Sequence, residues 1–564
     1  MKLLLKGGLV LNVFTDELER KNVLIEDGII TGVGDYTDDD ADITEDVCGK
    51  VICPGFIDAH VHIESSMLTP ANFAAVCLPH GTTSVIADPH EIANVAGVSG
   101  IEYMLEASEN LPVSIYFMLP SCVPATLLDE AGAVLIADDL RPLYAHKRVL
   151  GLGEMMNYPG VLAGDTDVMK KILDARKLGK IVNGHAPLLS GKELDKYIAS
   201  GIRDDHECSS FEEALERIRK GQIVMIRQGS AAKNLEALLP LFDEPYNRRC
   251  VLVTDDRHPM HLIRDGHIDN IIKLAANAGK SPVTAVRMAT IQAAMHFGLT
   301  DIGAVAPGYK ADILVLDDLY KVKVRDVYKN GIKVVSCGVP FKIDTPDVRV
   351  DIEERVRGSF KLKELSKNDF YIEPLSSKCR VIGMNPHQLI TDELVMKLDF
   401  DKENGIDVNR DILKAAVIER HNGTGHIGIG YVKGIGLKSG AVASSVSHDS
   451  HNIVVIGTNE HDMVAAANRV RSMNGGLAAV KDGGVIADMP LPVAGLMSDM
   501  SAVDAANYSE KLDLAVCSLG CKDAESLFMS MSFIALPVIP RLKLTTHGLA
   551  DVESQKIVSL FINA

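Results

Sequence analysis

Eight short apolar runs, each followed by a longer helix-like stretch, fill residues 54 to about 300 of this 564-residue chain. The runs lie at 54–62, 83–87, 113–119, 149–153, 180–183, 201–204, 223–226 and 251–254. Strands that alternate with helices build a parallel sheet, and eight such units close into a (β/α)8 barrel. The expected fold class is therefore α/β, a TIM-type barrel over residues 53–303.

The flanks read differently. The first fifty residues look like short strands, with a hairpin turning at Asp27-Gly28. After Pro307-Gly308 the strand pattern returns, which predicts a small split β-sandwich domain from residues 1–52 and 304–345. Ser281 as N-cap and Pro282 at the first position predict one helix running to about Phe297. A chain this long exceeds one core, and residues 346–564 are expected to form an additional C-terminal α+β domain. Its first part, to about Lys378, is charged and Pro-interrupted, as a linker with edge structure would be. A helix is expected near 461–473 and a hairpin about Asp482-Gly483. The barrel already has its closing sheet, so a chain ending near Thr345 is expected to fold by itself.

Charge narrows the partners. The net charge is -18 and no Lys/Arg run occurs, which argues against nucleic acid and anionic membrane. No apolar run is long enough to span a bilayer. Ten scattered cysteines and no signal peptide point to reduced thiols and a cytoplasmic protein. Cys517 and Cys521 have no second pair, so a zinc knuckle is not expected. Gly423-Thr424-Gly425-His426-Ile427-Gly428 fits a dinucleotide fingerprint, but the glycine-broken sequence after it is poor helix.

The chemistry gathers at the strand ends. His60 and His62, two apart on one strand, project from the same face. Glu154, His185, His206 and Asp255 end the fourth, fifth, sixth and eighth runs. In a barrel these ends surround one mouth, so imidazoles and carboxylates converge on one or two divalent metals. A lone His or Asp at a strand end is usually a loop or capping residue. Ligand-type side chains at five strand ends make that reading untenable.

With these residues in hand, the chain resembles the amidohydrolase superfamily. The matching pieces are Pro54-Gly55-Phe56-Ile57-Asp58-Ala59-His60-Val61-His62, Gly81-Thr82-Thr83, the histidines of the fifth and sixth strands, Asp255, and Pro307-Gly308-Tyr309-Lys310-Ala311-Asp312. Many binuclear members bridge their metals with a carboxylated lysine. Glu154 stands in that place here, which weakens dihydroorotase-, hydantoinase- and urease-like readings. Further features are similar to the adenine deaminase family. These are Glu64-Ser65-Ser66, Asp88-Pro89-His90-Glu91, Thr254-Asp255-Asp256 and Ser447-His448-Asp449-Ser450-His451-Asn452. The Pro-Cys-x-x-Cys arrangement of the other zinc deaminases does not occur.

The resemblance implies hydrolysis of adenine to hypoxanthine and ammonia, with a binuclear Mn²⁺ or Fe²⁺ centre, Zn²⁺ being a further option. It implies a metal set of His60, His62, Glu154, His185, His206 and Asp255, with Asp255 also relaying a proton. Asp256 is its rival, disfavoured by strand parity. Glu64 and Glu91 are further catalytic candidates. His90, Glu207, Arg227, Gln228, His448 and His451 are substrate-binding candidates; His448 and His451 would line the mouth from the third domain or make another metal site. The protein is expected to be a homo-oligomer, dimer or larger. Alternatives are an N-acetyl amino-sugar deacetylase or cyclic amidase, and a non-catalytic scaffold.

Overall fold

The computed structural model describes residues 1–230, 232–385, 390–401 and 403–562. Its centre is a barrel of parallel strands: β1 (Phe56–His62), β2 (Thr82–Ala87), β3 (Ser114–Leu119), β4 (Val149–Met155), β5 (Ile181–Gly184), β6 (Asp204–Asp205), β7 (Ile223–Arg227) and β8 (Cys250–Val253). Strands β1 to β5 pair in sequence order, as do β6 to β8. Asp255–Asp256, just past β8, pair with Val61 and His62 and close one seam. At the other seam the Arg203 N–H donates to the Val182 carbonyl, and the Asp204 carboxylate accepts from Asn183 and from the Gly184 N–H.

Two expectations change. The sixth strand shrinks to Asp204–Asp205, because Gly201 takes φ +118 and turns the chain before it. The helix from Pro282 stops at Met288 and a second one runs Ile291–His296. The Ala289 carbonyl between them accepts from Ile57 N–H of β1 at 2.7 Å, and Thr290 leaves helical geometry. The non-helical turn at Thr290 aims that carbonyl at β1 and ends the first helix.

Close approach explains part of the motif sequence. A Cβ on Gly55 would lie 2.1 Å from Thr83 Oγ1, so β1 and β2 start together only with glycine there. Lys329 of the small domain is buried and donates to Asp312 at 2.6 Å and to the Thr83 carbonyl at 3.0 Å, tying the post-barrel half of that domain to β2. Residues Ile313–Asp318 pair antiparallel with Val51–Pro54, so N-terminal and post-barrel segments share one sheet. The Asp27-Gly28 hairpin joins Asn22–Glu26 to Ile29–Gly34, both turn residues having positive φ.

Beyond residue 345, a helix at Val350–Arg357 packs on the barrel helix Val98–Glu106. An eight-stranded sheet follows, running from Thr391–Lys397 at one edge to Gly484–Pro490 at the other. Ile412–Ile418 and Ile427–Lys433 are its antiparallel neighbours, so the glycine fingerprint sits in a hairpin with no helix after it. The helix Glu460–Ser472 covers one face, and the hairpin about Asp482-Gly483 joins the last two strands.

One apolar cluster runs unbroken from the barrel (Ile63, Met67, Leu68, Phe73) into this domain (Leu491, Val493, Leu496, Met497). Met67 and Ser498 join the two through a backbone hydrogen bond of 2.8 Å. A chain cut near Thr345 would expose the barrel side of that cluster, which argues against the expectation that it folds alone.

Candidate metal centre

The end of β1 aims His60 and His62 into the mouth, both fully buried. The His62 ring Nδ1 donates to the Asp88 carbonyl at 2.9 Å, which leaves Nε2 as a lone pair facing inward. That lone pair lies 3.0 Å from Asp255 Oδ1 and 3.5 Å from Glu154 Oε1. His60 Nε2 lies 3.5 Å from Asp255 Oδ1 and 3.9 Å from Glu154 Oε2.

Glu154 is the hub. Its Oε2 lies 2.9 Å from His185 Nδ1 and 3.0 Å from His206 Nε2, and its Oε1 lies 3.5 Å from His90 Nδ1. Asp88 fixes it from below: one carboxylate oxygen accepts the Glu154 backbone N–H at 2.9 Å. That oxygen fills the space above Gly153, where a Cβ would lie 2.1 Å away.

Arg227, at the end of β7, donates from one nitrogen to both Glu207 Oε1 and Asp255 Oδ2, each at 2.6 Å. Burial works to raise the Glu207 carboxyl, but Arg227 and the His185 and His206 imidazoles hold it at about 2. Burial opposes charge on His185 as well, yet Glu207 and Glu154 lift it to about 9. His206 is raised against burial mainly by Glu154. The cluster therefore demands positive charge among its carboxylates.

A divalent cation fits that demand. His60 Nε2 is buried without a hydrogen-bond partner among the described residues. The donor atoms of His60, His62 and Asp255 lie within 4.8 Å of one another, as do those of His60, Glu154 and His206, and those of His62, His90 and Glu154. Each pair of these sets has one residue in common: His60, His62 or Glu154. Imidazole and carboxylate donors suit zinc, iron and manganese.

The remaining candidates divide by place. Glu64 is buried beside the cluster; one oxygen accepts the Ile92 N–H at 3.2 Å and the other has no partner among the described residues. Burial pushes its carboxyl up to about 7. Glu91 is clamped by the C-terminal domain, with His448 Nδ1 and His451 Nε2 each 2.5 Å from one of its oxygens. Gln228 meets its neighbours through the backbone, donating to Val253 and accepting from Arg257. Asp256 turns to Ser65, whose hydroxyl donates to it at 2.5 Å. Strand parity does not separate the two aspartates: Asp255 has φ +59, which breaks the alternation.

Sequence reading missed three residues. Asp88 fixes both His62 and Glu154; the Asp88-Pro89-His90-Glu91 motif at the end of β2 marked it without giving it a role. Asp58 sits in the wall beneath, where it accepts from Thr254 and lies 3.0 Å from His267 Nε2, tying β1 to β8. Asp129, in the loop after β3, accepts from Ser450, Asn452 and Thr546 of the C-terminal domain. Nothing local marks it.

A parallel barrel with histidines and carboxylates at its strand ends defines a metal-dependent hydrolase of the amidohydrolase type. The amidohydrolase family model matches residues 51–335, and the model for the adenine deaminase C-terminal domain matches residues 388–556. The chain is 48% identical to adenine deaminase 2 of Carboxydothermus hydrogenoformans over 99% of this chain and 96% of that protein. It is 47% identical to adenine deaminase of Desulfatibacillum aliphaticivorans, covering 99% and 97%, and 45% identical to that of Kosmotoga olearia, covering 99% and 96%. This chain belongs to the adenine deaminase family of the amidohydrolases. Membership implies a divalent metal, and the donor set described above accommodates one.

Proposed function

We propose that this protein hydrolyses adenine to hypoxanthine and ammonia at the barrel mouth. The observation that carries the reading is Glu154, ringed by His60, His62, His90, His185 and His206 and faced by Asp255, in a chain that matches adenine deaminases end to end. His60, His62, Glu154, His185, His206 and Asp255 would hold the metal, as a binuclear Mn²⁺ or Fe²⁺ centre with Zn²⁺ as the alternative filling. When bound, such a metal brings the pKa of water from 15.7 to roughly 7.

The chain's own groups do the rest. Burial works to raise the Asp255 carboxyl, but Arg227 and the His60 and His62 imidazoles hold it well below the usual carboxylate range. Asp255 is therefore ionised and accepts a proton from the attacking water. Glu64, titrating near neutrality, delivers a proton to the ring nitrogen as water adds to C6; the proton held by Asp255 then passes to the exocyclic amine, which leaves as ammonia, and the C6 hydroxyl returns a proton to Glu64. The purine lies in the cavity lined by Ser65, Asp256, His258, His448, Phe528 and Ser532, which barrel and C-terminal domain form together. Glu91 holds His448, which lines that cavity, and its neighbour His451.

The test is loss of adenine absorbance with ammonia measured independently, in enzyme supplied with Mn²⁺ or Fe²⁺. Adenosine and AMP should be far poorer, because ribose at N9 would meet the covering domain. Cytosine should be poor because it leaves buried polar groups unpaired. Equal rates on adenosine, or none on adenine, would return the chain to the wider amidohydrolase class.

A further inference from the structure

We propose a second divalent-cation site, built from Glu130, His426 and His547, that staples the barrel to the C-terminal domain. Their donor atoms lie within 4.8 Å of one another, and they share no residue with the cluster at the barrel mouth. His426 Nδ1 stands 3.1 Å from both Glu130 carboxylate oxygens, and the His426 and His547 rings are 5.4 Å apart.

The three residues come from separate segments that are each held in place. Glu130 follows Asp129 in the loop after β3; its carbonyl accepts from Asn452 at 2.7 Å. His426 directly precedes the strand Ile427–Lys433, and its own carbonyl accepts from Glu419 N–H at 3.0 Å. His547 occupies the turn between Leu542–Thr545 and Gly548–Asp551, its N–H donating to Thr545 Oγ1 at 3.2 Å. The backbones are thus fixed while the side chains, exposed in both histidines, retain the rotamer freedom to close on an ion.

Two imidazoles and one carboxylate with an open fourth position are a zinc-type donor set. The chain's net charge of -18 favours cation accumulation at its surface. A cation there would add a fastening to the Asp129 clasp, the Met67–Ser498 hydrogen bond and the pairing of Glu91 with His448 and His451. The competing explanation is a surface Glu–His ion pair, which holds no metal.

The experiment uses full-length enzyme with its catalytic metal loaded, dialysed against micromolar Zn²⁺, with metal counted by mass spectrometry. Wild type should retain about one more zinc per chain than the His426→Ala/His547→Ala variant. Zinc should raise the melting temperature of wild type and leave that of the variant unmoved. Glu130→Gln, which alters only the barrel side, should weaken zinc retention at least tenfold and decides the matter if the double variant folds poorly. Turnover of both variants in zinc-free buffer should match wild type. Equal zinc counts in wild type and variants overturn the proposal.

Discussion

Glu91, in the first turn of the helix after β2, and His448 of the C-terminal domain meet at 2.5 Å across 357 residues of chain. The second Glu91 oxygen takes His451 at the same distance. The C-terminal domain thus reaches the mouth of its own barrel. Burial opposes charge on His448, but Glu91 lifts its imidazole to about 9, while burial drives His451 down to about 4. Glu91 therefore faces one charged and one neutral ring near neutral pH.

Replacing Glu91 with Gln should separate docking from chemistry. Removing one partner of a buried ion pair costs about 3–5 kcal/mol, so the melting temperature should fall and proteases should cut sooner between the domains. Adenine turnover should drop by at least tenfold while metal content holds. Unchanged stability would show that His448 and His451 find other partners and that Glu91 is not the clamp.

Glu154→Gln keeps the shape and removes the charge that five imidazoles face. Metal per chain, measured on protein purified without chelator, should fall below wild type, and activity should collapse with it. Retention of full metal and normal rate would move the hub elsewhere.

Asp255→Asn and Asp256→Asn form a pair that tests the role of each carboxylate. Asp255 faces His60, His62 and Arg227, whereas Asp256 faces Ser65. The Asp255 variant should lose about 10²–10⁴ in kcat, the range for a proton-transfer group. The Asp256 variant should act mainly on KM through the cavity it lines. The reverse pattern would exchange their roles.

The barrel and its ring of donors were legible because strand ends in this fold converge whatever the loops do, so His60, Glu154, His185, His206 and Asp255 could be placed without knowing any contact. What depends on contacts between distant segments was not. Glu91 reads as a catalytic candidate, and its pairing with His448 from the far domain is invisible in the sequence; Asp129 reads as a loop residue. The break at Ala289 accompanies a hydrogen bond to β1 that helix propensity does not encode. Independent folding of a chain ending near Thr345 looked sound because the split sheet closes the barrel. The apolar cluster crossing into the C-terminal domain is what the pattern did not reveal.

That cluster sets the outcome of truncation. A chain ending at residue 345 would leave Met67, Leu68 and Phe73 without their cover and Asp129 without Ser450, Asn452 and Thr546. It should aggregate on expression or yield a protein melting well below the full chain, measured by calorimetry on any soluble fraction. A soluble, monomeric truncation with the parent's melting temperature would show that the barrel does not need the interface.

The last prediction concerns a glycine. Gly153 precedes Glu154 on β4, and a methyl there would lie 2.1 Å from the Asp88 oxygen that accepts the Glu154 N–H. Gly153→Ala must push either Asp88 or the end of β4 aside. Asp88 cannot yield cheaply, because its backbone carbonyl also fixes the His62 ring. Both metal-facing groups should therefore shift together, and a misplacement of about 1 Å costs about 10²-fold in rate. The expected result is a folded protein with circular dichroism like wild type, lower metal occupancy and kcat/KM down about 10²-fold. Asp88→Ala in the same background removes the clash but also the acceptor, so it should not restore the rate. Full activity in Gly153→Ala would mean that β4 can bend away at this point, and that Asp88 does not set the position of Glu154.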